Sequence, residues 1–118
     1  MEIKNAVESL VALAQETRLV VFRLLIQAGS EGMNPGAISE SVGVVPATLS
    51  FHLKELSRAG LVVSHQQGRF IFYSANFEAM DDLIAYLTDN CCQGAACLPK
   101  TAATASRKGR RKTKVVRS

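Results

Sequence analysis

The sequence predicts a mainly α-helical domain that carries one small β-hairpin. Three observations point to it. Two short helices, 35–42 and 46–59, are joined by a three-residue turn containing Gly43, which makes a helix-turn-helix pattern. Directly behind them, Leu61-Val62-Val63 and Phe70-Ile71-Phe72-Tyr73 form two β-prone runs around a Gly-containing loop. Helical periodicity then resumes and closes the domain.

Taken in order, Ile3, Val7, Leu10, Val11 and Ala14 share one face of a first helix over 3–14, with Glu2, Lys4, Asn5 and Glu8 mostly off it. A second helix runs from about Thr17 to Ala28. Leu19, Phe22, Leu24, Leu25 and Ile26 make it apolar on more than one side, as a central core helix would be, and Gly29 stops it. Asn34 and Pro35 read as cap and first residue of the third helix, which Gly43 ends. Pro46 opens the fourth, because the N–H it lacks is one that a first turn leaves free anyway, and Gly60 closes it after Ala59. The hairpin around His65–Arg69 is then the wing of a winged helix-turn-helix. A last helix over 77–90 holds Met80, Leu83, Ile84 and Leu87 in register. Three segments follow from this pattern: the folded domain over 1–90, a thiol segment over 91–99, and a disordered basic tail over 100–118.

With 118 residues there is room for one domain and a modest core. The net charge of +4 is unevenly divided. Residues 1–99 carry six basic and ten acidic side chains, whereas 100–118 carry eight basic ones and no acid. Contacts to a polyanion from the folded part must therefore come from a few placed cations, with the tail adding non-specific attraction. No apolar run approaches the ~20 residues that a membrane span needs. The N-terminus lacks a basic start and a small-residue cleavage site, so a cytoplasmic protein is expected. Enzyme chemistry finds little support: there is no Gly-rich phosphate loop, no paired acid–base constellation and no nucleophile with an evident base.

The fourth helix carries a candidate DNA-reading face. Leu49, Leu53, Leu56 and Gly60 form its inward stripe. Opposite lie Ala47, Phe51, Lys54 and Arg58, with Thr48 and Ser50 on the shoulders. Short hydroxyls can bond base edges or phosphates, and an apolar group can meet a thymine methyl. Two cations toward the C-terminal half suit phosphates. His52 lies beside the core stripe and has two readings, a structural histidine bonded to backbone or a phosphate or base contact.

The strings ETRLVVFRLL, AISESVGV, ATLSFHLKELSRAGLV and GRFIFYSA resemble the ArsR/SmtB family of metal-responsive repressors, over about residues 8–88. The resemblance implies a winged helix-turn-helix homodimer, paired through its first and last helices, on an inverted repeat of double-stranded operator DNA. By motif position Thr48, Ser50 and His52 would be recognition-helix contacts, and Arg69 a wing contact to backbone or minor groove. Many members carry Ser-Gln where this chain has Val45-Pro46, which removes a capping hydroxyl and a base-reading amide.

All three cysteines fall within CCQGAAC, Cys91, Cys92 and Cys97. In a chain without a secretion signal they do not read as a disulfide framework. Soft thiolates select thiophilic ions, and trivalent arsenic or antimony takes three sulfurs in a pyramid. Cys91 and Cys92 bring two sulfurs close if the helix unwinds there. Asn90 and Gln93-Gly94-Ala95-Ala96 then let Cys97 close the third side within one subunit. Zinc or cadmium would need a fourth ligand such as Asp89, and Cys97 could also pair oxidatively with either neighbour. A response to cadmium, zinc or lead, or to thiol oxidation, is therefore the alternative. Residues 1–90 contain no cysteine, and 76–90 no histidine, which removes two other sensor sites of the family. What remains resembles its arsenite-responsive members from acidophilic iron-oxidising bacteria, with Cys-Cys…Cys after the last helix. That resemblance implies no permanently bound cofactor, and As(III) or Sb(III) as an inducer that releases the repressor.

Overall fold

In the computed structural model, which describes residues 1–91, three of the five helices begin on a side-chain cap. Helix α1 spans Ile3–Leu13 and α2 spans Glu16–Ala28. The Gln15 side chain accepts the Arg18 N–H, which starts α2 at Glu16, slightly ahead of the expected Thr17. Helix α3, Pro35–Val42, is capped by Asn34, whose Oδ1 accepts from the Ala37 N–H at 2.8 Å. Helix α4 spans Pro46–Arg58, strands β1 and β2 span Val62–Gln67 and Phe70–Ala75, and α5 spans Phe77–Leu87.

The core gathers around α2, where Val21, Phe22 and Leu25 meet Ile38 of α3, the Leu49, Leu53 and Leu56 stripe of α4, and Leu61, Val62 and Ala75 at the base of the hairpin. Leu24 and Ile26 pack against this cluster, as expected of a central helix, but Leu19 and Val20 stay exposed. The first helix is turned the other way from a core helix. Small residues, Ala6, Ser9 and Ala12, face inward, and its large apolar side chains point out, with Ile3 68 % and Val11 63 % exposed.

Two elements depart from the sequence expectation. The wing strands are longer, antiparallel from Val62↔Ala75 to Gln67↔Phe70, so the loop shrinks to Gly68-Arg69. Gly68 takes φ +65° and Arg69 does not enter the positive region, the pattern of a two-residue type II′ hairpin turn. The last helix stops at Leu87 rather than 90. The Thr88 carbonyl accepts the Cys91 N–H at 2.9 Å, and Asn90 adopts φ +57°, which no α-helix can pass through.

Met33 pairs with Tyr73 through both backbone bonds, 2.9 and 2.8 Å, and fastens the segment before α3 to the wing. Gly32 permits this approach. A Cβ there would lie 2.2 Å from the Tyr73 carbonyl oxygen. No helix among the described residues is long and apolar enough to cross a membrane.

Candidate nucleic-acid interface and thiol segment

Helix α4 is fixed at both ends and along its inner side, which leaves its outer face free to meet a partner. At its C-terminus the Leu61 N–H bonds the Leu56 carbonyl at 3.0 Å, and the Gly60 N–H bonds that of Ser57 at 2.9 Å. With Leu56 and Leu61 both fully buried, this is a Schellman closure with its apolar contact. At the other end Val45 supplies no side-chain cap, as its lack of a hydroxyl predicts, and Pro46 occupies the first helical position. The turn before it is held by Ser39, whose hydroxyl donates to the Val44 carbonyl.

On the outer face Ala47, Thr48, Ser50, Phe51, Lys54 and Arg58 are all exposed, so the structure brings these six residues together on one surface. Arg58 reaches both carboxylate oxygens of Glu55, one turn back on the same helix. That hydrogen bond is the main reason the Glu55 carboxyl sits below its usual range, helped by the charges of Arg58, Arg18 and Lys54. Glu55 raises Arg58 in return. The pair is on the surface, where such bridges contribute little, so a phosphate can compete for Arg58.

His52 stands apart from the six exposed residues. Its side chain is only 8 % exposed and points away from that face. Nδ1 lies 3.3 Å from Nη1 of Arg18, whose Nε donates to the Ala12 carbonyl at 2.7 Å. A guanidinium has only donors, so Nδ1 is the acceptor and the ring is neutral. Burial, and then the Arg18 charge, both hold the His52 pKa below its ordinary value. Of the two readings of His52, these contacts support the structural one, with Arg18 rather than backbone as its partner. Sequence reasoning missed Arg18, although a lone cation at the head of a core helix was a signal available for it.

Arg69 sits exposed at the tip of the wing, outside α4's face, where a hairpin can reach a second groove or strand. Behind it the rings of His65 and Phe72, a cross-strand pair, stack at 5.7 Å. Of the three cysteines, Cys91 is half-buried at the end of the turn after α5. Cys92 and Cys97, and the basic tail over 100–118, lie outside the described residues. Among the described residues no three His, Cys, Asp or Glu side chains cluster as a metal site.

Comparison with known proteins bears on this arrangement. A family described as a helix-turn-helix domain matches residues 13–65. The transcriptional repressor SdpR of Bacillus subtilis is 32 % identical over 76 residues, covering 64 % of this chain and 81 % of that protein. The chain belongs to the ArsR-like winged helix-turn-helix transcriptional regulators. A second Bacillus relative, the HTH-type regulator YceK, is 35 % identical over 63 residues; the match covers 53 % of this chain and 62 % of YceK's length.

Solved structures of ArsR-like proteins agree in fold. An ArsR-like regulator from Rhodococcus sp. RHA1 is 25 % identical with a TM-score of 0.64, over 71 % of this chain and 76 % of that one. A protein described as a possible transcriptional regulator for arsenical resistance is 26 % identical with a TM-score of 0.60, over 68 % and 80 %. A homodimeric winged helix-turn-helix DNA-binding domain from Mycobacterium bovis, 23 % identical with a TM-score of 0.61 over 81 % and 89 %, shares the fold. The relatives are transcription regulators, which points away from catalysis.

Proposed function

We propose that this ArsR-like regulator is a homodimeric repressor that holds an inverted-repeat operator through two copies of α4. We propose further that it releases the DNA when As(III) or Sb(III) is captured by the thiolates of Cys91, Cys92 and Cys97. The observation that carries the DNA half is the outer face of α4, where hydroxyls, cations and one aromatic ring stand exposed on a helix locked from behind. Thr48 and Ser50 suit base edges or phosphates, Lys54 and Arg58 suit phosphates, and Arg69 extends the grip from the wing.

A second copy is the occupant assigned to the outward face of α1. Ile3, Val7, Leu10 and Val11 expose large apolar side chains there, and Leu87 does so on α5, which packs against α1. An apolar surface of this kind marks an association site. The homodimeric state of the Mycobacterium bovis domain supports the choice. Two α4 helices can enter successive major grooves only if the dimer sets them about one duplex turn apart, ~34 Å.

The thiol half rests on donor chemistry. Three soft sulfurs lie within seven residues, and α5 ends at Leu87, four residues before Cys91. The arsenical-resistance description of one structural neighbour points the same way. When bound, the ion supplies a pyramidal centre that draws the sulfurs together. Cys91 comes four residues after α5 in the chain, and α5 packs against α1, so a conformation favoured by the drawn-in cysteines can differ in the spacing of the two α4 helices. The ratio of affinities for the two conformations then sets how far the repressor is displaced.

The test is fluorescence anisotropy of the reduced full chain on the DNA upstream of its own gene, titrated with arsenite. Release is expected, and Cys91→Ser and Cys92→Ser should each abolish it. Wild-type protein that keeps its DNA at saturating arsenite refutes the arsenic trigger. Release by cadmium, zinc, lead or a thiol oxidant alone assigns the site to that agent instead.

A further inference from the structure

One side chain on the outer face of α4 has no role in holding phosphate. Phe51 is 55 % exposed in the middle of that face, bordered by Thr48, Ser50 and Lys54. Four residues earlier, and therefore one turn away on the same line, Ala47 exposes its methyl group. The ring is not loose. It meets the ring of His52 edge-on, 5.5 Å between centroids at 61°, and His52 is buried against Arg18, which is itself bonded to the Ala12 carbonyl. A buried anchor thus stands behind an exposed aromatic.

We propose that Ala47 and Phe51 form a seat for the C5-methyl group of a thymine in each operator half-site, and so determine specificity. The inference rests on the reading of α4 as the helix that enters the major groove. In that groove adenine, guanine and cytosine present polar atoms, and among the four standard bases only thymine adds an apolar group. Neither Ala47 nor Phe51 has a side-chain donor or acceptor. An adenine, guanine or cytosine edge pressed against them would lose water from its polar atoms without a replacement, which is costly. Thymine brings a methyl that gains from the same contact. The surrounding hydroxyls and cation argue against a protein partner for this ring, since the apolar area is a single ring and a methyl within a polar face.

The experiment is to select preferred duplexes from a random pool with the full chain, then replace each thymine in turn by deoxyuridine, which removes only the methyl. One symmetry-related pair of positions should weaken binding about fourfold for each methyl removed, the effect of taking one buried carbon group away. Phe51→Ala, an exposed position whose loss leaves the core intact, should bind the thymine and uracil duplexes alike. Phe51→Leu should retain part of the difference. No methyl effect at any thymine, or one that persists undiminished in Phe51→Ala, overturns the seat while leaving the operator reading intact. A chain that enriches no sequence at all overturns the operator reading and the seat together.

Discussion

His52 shows how a single partner commits a side chain to one role. Its Nδ1 accepts from Arg18 only while the ring is neutral; protonation would replace the acceptor with a donor and set two cations 3.3 Å apart. Burial and Arg18 therefore both hold its pKa below the ordinary 6.5. In the unfolded chain His52 takes up its proton near 6.5, while the folded chain does so only at lower pH. Between these values the unfolded state binds more protons, so this contribution is intact above about pH 6.5 and is lost as pH falls through the folded value. The urea midpoint should hold steady above that pH and decline below it. His52→Gln keeps an acceptor for Arg18 but does not titrate, and should show a shallower decline over the same window; identical slopes would exclude His52 as the source. The place of His52 beside the core stripe was legible in the sequence. Its partner was not, because Arg18 stands 34 residues earlier and only the packing of α2 on α4 joins them.

Elements were legible wherever their ends are set by local chemistry. Asn34-Pro35, Gly43, Pro46 and Gly60 mark the ends of α3 and α4 in the sequence and mark them in the structure. The hairpin was less so, because Ser64–Gln67 are polar and exposed, and only pairing with Phe70–Tyr73 makes them strand. The end of α5 was also hidden, since its apolar register runs through Leu87 and the turn that follows depends on the backbone at Asn90. Asn76 is a junction that the sequence did not single out. Its Oδ1 accepts the Ala79 N–H in the first turn of α5, at 3.2 Å. Its Nδ2 donates to the Gly60 carbonyl just past α4, at 2.9 Å, and its backbone N–H donates to Leu61 at 2.8 Å. One side chain thus ties the close of α4 to the start of the last helix. Asn76→Ala loses the cap and the tie, and should cost about 1–2 kcal/mol in denaturant unfolding. Asn76→Asp keeps the cap acceptor and loses only the donor, so its loss should be smaller. Equal losses would show that the cap contributes nothing.

At the scale of the molecule, α1 carries the question that a single chain poses and does not answer. Periodicity reveals that Ile3, Val7, Leu10 and Val11 share a face, but an amphipathic pattern does not say what the face meets. The fold resolves half of this: the small face of Ala6, Ser9 and Ala12 meets the domain, so the large face is left for another surface. If a second copy covers it, charges placed there should separate the copies without unfolding either one, because Val7 and Val11 contribute nothing to the core of their own chain. Val7→Glu combined with Val11→Glu should retain the circular dichroism of the wild type and halve the mass in sedimentation equilibrium. Each separated copy would reach only one half-site, and loss of the linked second contact should weaken operator binding roughly a hundredfold or more. A double variant that still sediments as a dimer would move the interface off α1. One that becomes monomeric yet binds as tightly would show that a single α4 and wing suffice for recognition.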